Sequence, residues 1–233
     1  MGNTLLDAVV FDFDNTLVDT KSTIEHAYSR IFLHMSEEYN VSLEAIRREL
    51  AAVSTDFEAV GNYDRMQWFD AILTNLHVNF KQVEVEKYVN DFYSMIESPK
   101  YDPAVESVLV SIKKLNKKLG LLTDSDYKPG TKMKRISKLP FARLFDKIEV
   151  AGDTIPYKKR TESPFVIIAK DLGVAPDKTI YIGDRMDFDI KNSKKAGMKA
   201  ALITTYNDTR GLEDVVEPDW VVSNIREVLN IIK

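Results

Sequence analysis

Asp12 and Asp14 follow the apolar run AVVF, with one phenylalanine between them; Thr123 follows the run LGLL and Asp184 the run IYIG. Side chains of a strand alternate with a period of two, which predicts Asp12 and Asp14 on one side and Phe13 on the other. Three carboxylates brought to one edge repel and raise one another's pKa unless a cation lies among them. Carboxylates with a backbone carbonyl are hard oxygen ligands, which suit Mg2+ keeping several of its waters. A metal alone does not call for two aspartates on one strand, but phosphoryl transfer does. One carboxylate can attack phosphorus to form an aspartyl-phosphate, while the other protonates the leaving oxygen and then takes a proton from water. A divalent cation between nucleophile and phosphate offsets their repulsion.

These residues need a sheet to bring them together. Residues 6–12 (LDAVVFD) read as a buried strand. From Asp19 to Met95 helix formers dominate. Ile24, Ala27, Ile31 and Met35 recur at helical spacing, as do Trp68, Ile72 and Leu76, which predicts about four helices and no strand. SPKYDP (98–103) reads as a linker. Beyond it, helices at 104–116, 164–172, 190–195 and 225–232 alternate with strands at 119–123, 147–150, 179–182, 200–204 and 220–222. Strands separated by single helices make βαβ units and a parallel sheet. The expected fold is α/β: a doubly wound parallel sheet from 1–17 and 99–233, with a helical cap, 18–98, inserted after the first strand. Ligands of such sheets bind outside the carboxyl ends of the strands, where Asp12, Asp14, Thr123 and Asp184 fall.

Four segments in this order resemble the motifs of the haloacid-dehalogenase-like hydrolase superfamily: DFDNTL (12–17), GLLTD (120–124), KKRTESPF (158–165) and IGDRMDFDI (182–190). The helical insert is similar to that superfamily's first cap type, and the likeness to its phosphatase branch, phosphoglycolate phosphatase included, covers nearly the whole chain. The resemblance implies Asp12 as nucleophile, Asp14 as acid–base, and Thr123, Asp124 and Lys159 as the phosphate-binding set. It implies Mg2+ on Asp12, the Asp14 backbone carbonyl and Asp184, with Asp189 in support. Asp124 stands where relatives often carry a small or amide residue, and Arg160 where proline is common. Lys158 and Lys159 are adjacent; counting back six from Phe165 selects Lys159 and leaves Lys158 a solvated charge.

The resemblance implies a Mg2+-dependent phosphatase for a small phosphorylated metabolite. A phosphomutase or a 2-haloacid dehalogenase on the same fold are alternatives, though dehalogenases lack the second aspartate; a non-catalytic binding protein is a further one. In the cap, Asn62, Tyr63 and Arg65 beside Trp68 are candidates for substrate contact. By itself DFDN reads equally as an Asx-turn capping its own backbone. The basic stretch from Lys113 to Arg135 reads as a solvated helix face. His26, His34 and His77 show no metal-ligand spacing.

Composition narrows the classes. The chain has 233 residues, 44% hydrophobic, a formal net charge of −4 and no cysteine. Disulfides, thiolate metal sites and cysteine nucleophiles are thereby excluded. The charge gives no general pull toward nucleic acid or anionic membrane. No run approaches 18 apolar residues, and the start lacks a signal-peptide pattern, so a cytoplasmic monomer or small homo-oligomer is expected. No GxGxxG, GxxxxGK[ST] or GxSxG supports dinucleotide, Walker-type or serine-hydrolase chemistry.

Overall fold

The computed structural model describes residues 5–60, 62–126, 128–206 and 216–232. The chain divides into two compact units, residues 1–21, 100–125 and 129–233, and residues 22–99 with 126–128. In the first, six parallel strands lie in the order β3-β2-β1-β4-β5-β6. They are β1 (Ala8–Phe11), β2 (Lys118–Asp124), β3 (Lys147–Ala151), β4 (Thr179–Gly183), β5 (Lys199–Ile203) and β6 (Trp220–Val222).

β1 sits at the centre, flanked by β2 and β4, and every residue of β1 and β4 is buried. Both faces are therefore covered by helices, which explains why these strands read as continuous apolar runs. Val9, Phe11, Leu119, Leu121, Ile180 and Ile182 form one face, packed with Val105, Val108, Leu109 and Ile112 of helix α5 (Ala104–Lys114). Ala8, Val10, Leu122 and Tyr181 form the other, with Phe165, Ile168, Ala169 and Leu172 of α7 (Ser163–Leu172). Helix α7 stops at Gly173, whose φ of 70° puts it in the left-handed region where glycine is favoured.

The register aligns the strand ends. Phe11 lies opposite Leu121 on one side and Ile182 on the other. Asp12, Thr123 and Asp184 consequently follow within one or two residues of a common level. The order of connections reverses between β1 and β4, the crevice where ligands of open α/β sheets bind.

The second unit is built from helices α1 (Thr20–Tyr39), α2 (Leu43–Ala59), α3 (Arg65–Asn75) and α4 (Gln82–Ile96). Its core contains Ala27, Ile31, Met35, Trp68, Phe69, Ile72, Tyr88 and Phe92; of the positions picked out by helical spacing, Ile24 and Leu76 are only partly buried against it. Ser42 and Asp64 cap α2 and α3 by accepting hydrogen bonds from Ala45 and Met66 amides at 3.2 and 2.9 Å. No described helix is long and apolar enough to cross a membrane.

The closing segment differs from expectation: 225–232 is a 3-10 turn at Ile225–Glu227 followed by α9 (Val228–Ile231), a single turn. Short helical pieces of this kind also precede α8 (Lys191–Lys195), where Met186–Ile190 forms a π-turn.

Candidate active site

Lys159 organises the carboxyl ends of β1 and β4. Its Nζ lies 2.6 Å from Asp12 Oδ1 and 2.8 Å from Asp189 Oδ1, and donates to the Tyr181 hydroxyl at 3.2 Å. Tyr181 in turn donates to the Leu122 carbonyl at 3.0 Å. The Lys159 backbone is fixed at both ends: its amide donates to Asp124 Oδ1 at 3.0 Å, and its carbonyl accepts from Asn192 Nδ2 at 2.7 Å. Asp124 thus holds the lysine loop in place. Lys158 is exposed and its ammonium meets Ser125 Oγ, so of the two adjacent lysines it is Lys159 that reaches Asp12.

Asp12, Asp184 and Asp189 each place a carboxylate oxygen within 4.8 Å of the others, and all three are buried. Asp189 reaches this place through the π-turn, with its Oδ2 accepting from the Arg185 amide at 3.0 Å. Gly183 makes room for it, since a Cβ there would overlap the Asp189 carboxylate. Asp187, two residues earlier, is exposed and paired with Arg185 at 2.8 Å. Burial pushes the Asp12 carboxyl well above its ordinary range; Lys159 opposes the rise, and Asp189 and Asp184 add to it. Burial acts against the Lys159 ammonium too, but Asp12 and Asp189 outweigh it and hold the group protonated. An oxygen-only set of three buried carboxylates, two of which raise the pKa of Asp12, fits a small hard dication such as Mg2+.

Asp14 lies in a separate electrostatic setting. The strand ends at Phe11 and a turn begins, so the period of two does not extend to Asp14. Leu17 donates back to the Phe13 carbonyl at 3.0 Å, and Asn15 adopts φ 56°, a left-handed conformation that asparagine tolerates. Asn15 Oδ1 accepts from the Lys21 amide at 2.8 Å, so within DFDN the asparagine does the backbone capping while the two aspartates make ion pairs. Asp14 Oδ1 accepts from Thr20 Oγ1 at 2.6 Å and Arg135 Nη2 at 2.9 Å; Oδ2 pairs with Lys132 Nζ. Burial would raise this carboxyl, but Arg135, Lys132 and Thr20 prevail and hold it well below the usual carboxylate range.

The solvated-face expectation for the basic stretch is therefore wrong at its end. Lys132 and Arg135, on α6 (Thr131–Ser137), are buried, because they share one helix face and both reach Asp14. Tyr181, Asn192 and Thr20 were likewise not anticipated. A run of three basic residues in TKMKR within an acidic chain was the one available hint.

Thr123 is buried at the end of β2, opposite Val150. In the helical unit, Asn62 supports the start of α3: its Oδ1 accepts from the Asp64 amide and its carbonyl from Trp68 Nε1, both at 2.9 Å. Arg65 is buried, its guanidinium carbon 3.8 Å from the Trp68 ring centroid, and its Nη1 donates to the Tyr63 carbonyl at 3.3 Å. These contacts give Asn62 and Arg65 packing roles within that unit.

The pattern of the haloacid dehalogenase-like hydrolase family matches residues 9–203. This chain belongs to that family. Among family members, glyceraldehyde 3-phosphate phosphatase of Methanopyrus kandleri is 27% identical over 238 residues, spanning 98% of each chain. Phosphoglycolate phosphatase of Pseudomonas putida is 25% identical across 97% of this chain and 79% of its own. The HAD-hydrolase YfnB of Bacillus subtilis, solved bound to magnesium, superposes with a TM-score of 0.76 at 17% identity, over 98% of this chain and 99% of that one. At that identity the likeness is one of fold, here the six-stranded parallel sheet with helices on both faces.

Proposed function

We propose that this hydrolase is a Mg2+-dependent phosphatase that cleaves a small phosphorylated metabolite through an aspartyl-phosphate on Asp12. The observation that carries the reading is the split between the two aspartates: Asp12 lies with Lys159, Asp184 and Asp189, and Asp14 lies apart with Lys132 and Arg135. Two carboxyls two residues apart in opposed environments suit two different roles.

Asp12 is the nucleophile, with Lys159 orienting it and neutralising phosphate charge. Thr123 and the backbone after it hold phosphate oxygens. Asp14 takes a proton from the attacking water in the second step and gives it to the leaving oxygen of the next substrate in the first; Lys132, Arg135 and Thr20 favour the carboxylate that the second step needs. Asp12, Asp184 and the Asp14 carbonyl would hold Mg2+, with Asp189 behind them. When bound, the ion supplies charge neutralisation for an anionic nucleophile facing an anionic phosphate. The names of the relatives favour a small phosphorylated carbohydrate or hydroxyacid as substrate.

The test is turnover of purified protein on a panel of phosphate monoesters, including glyceraldehyde 3-phosphate, phosphoglycolate, hexose phosphates and nucleoside monophosphates, with Mg2+ and with chelator. Release of phosphate from at least one, abolished by chelator, is expected. No release from any, or release indifferent to chelator, contradicts the reading.

A further inference from the structure

Two buried cations converge on one carboxylate at the edge of this site. Lys132 and Arg135 stand three residues apart on α6, are 4% and 2% exposed, and contact different oxygens of Asp14. Thr20 supplies a third donor at 2.6 Å, and its Oγ1 lies 3.5 Å from Arg135 Nη2. Both cations also lie over the Phe13 ring, at 5.8 and 5.4 Å from its centroid, which packs their stems against the sheet. Asp14 itself stays partly open, its side chain 24% exposed.

Stability alone gives little reason for such a cluster. Removing two cations from water is costly, and buried ion pairs roughly break even against apolar packing. What three donors on two oxygens do achieve is to fix the carboxylate's rotation and position. Helix α6 is itself anchored at its start, where the Gly130 amide donates to Asp153 Oδ2 at 2.6 Å. The Asp14 carboxylate is thus held by α6 as well as by the turn that carries it.

We propose that Lys132 and Arg135 are positioning residues that hold the Asp14 carboxylate as the base for hydrolysis of the aspartyl-phosphate. The inference rests on the phosphatase reading above. In that step water attacks phosphorus, its proton passes to an Asp14 oxygen, and the bond between phosphorus and the Asp12 oxygen breaks, returning Asp12 as carboxylate and releasing phosphate. The preceding transfer from an activated aryl ester needs little help from Asp14, because the phenolate leaves readily.

The experiment is pre-steady-state and steady-state kinetics on p-nitrophenyl phosphate with Mg2+, for wild type, Lys132→Met, Arg135→Met and Arg135→Lys. Each single variant leaves Asp14 one cation and Thr20, and a melting curve checks that the protein is folded. For the two Met variants kcat should fall about 10- to 100-fold, as for a misplaced catalytic group. Their kcat/KM should stay within about threefold, with a burst of nitrophenolate marking phosphoenzyme that forms and then stalls. Arg135→Lys should lie between Arg135→Met and wild type. A parallel fall of kcat and kcat/KM without a burst would mean a merely structural role, and unchanged kcat an idle one; either overturns the proposal. Wild type without Mg2+-dependent turnover is a different failure: it removes the phosphatase reading and this inference with it.

Discussion

Lys159 Nζ bonds Asp12 Oδ1 at 2.6 Å from a chain position 147 residues away, and its own backbone is pinned by Asp124 and Asn192. A charge placed this firmly beside a nucleophile costs no reorganisation when the reaction occurs. Lys159→Ala should therefore lower turnover about 100-fold or more, as for one preorganised donor. Lys158→Ala removes an exposed ammonium and should stay near wild type. Kinetics on the pair decide the matter; a large loss at Lys158 with little at Lys159 contradicts the assignment.

Asp124→Ala should act through Lys159. Its carboxylate holds the Lys159 amide, so the loop loosens while every reactive group remains. A loss of about tenfold in turnover is expected, in the range of a misplaced catalytic group. Asp124→Asn keeps an acceptor oxygen and should recover most of it. Equal losses in the two variants would show that charge, and not the hydrogen bond, matters at this position.

Gly183→Ala places a methyl against the Asp189 carboxylate inside β4, where both residues are buried. Overpacking of this kind costs about 1–3 kcal/mol. The expected variant melts lower, and its melting temperature responds less to Mg2+ than that of wild type. A normal Mg2+ response would separate Asp189 from the metal site.

Asp12→Asn should melt at the same or a higher temperature than wild type without metal. The folded Asp12 carboxyl titrates above its unfolded value of about 4, so its contribution is full below that pH and lost as pH rises through the folded value. At neutral pH the amide removes that loss. Mg2+ should raise the melting temperature of wild type more than that of the variant. Thermal melts at pH 7 and pH 5, with and without Mg2+, check the sign; a variant clearly less stable than metal-free wild type at pH 7 contradicts it.

The parallel sheet was legible because β1, β2 and β4 are buried on both faces and so appear as unbroken apolar runs ending in Asp12, Thr123 and Asp184. Asp189 was legible through its spacing from Asp184, although the π-turn that delivers it was not. Side-chain alternation could not place Asp14, because it applies only while the strand continues, and β1 ends at Phe11 before the turn at Asn15. Lys132 and Arg135 were hidden for a different reason. Their burial depends on a pairing 118 and 121 residues away in the chain, and a charged residue's local sequence does not reveal its partner. Arg65 shows the same limit: proximity to Trp68 was visible, but not that the guanidinium would stack on the ring.

The central claim is that phosphorus becomes bonded to Asp12, and trapping that bond tests it most directly. Wild-type protein turning over p-nitrophenyl phosphate with Mg2+ is quenched in acid, digested and mapped by mass spectrometry. A phosphoryl group is expected on the peptide containing Asp12, sensitive to hydroxylamine as an acyl phosphate should be, and missing from Asp12→Asn, which does not turn over. Turnover of Asp12→Asn within a few fold of wild type, or a label on another residue, would contradict it.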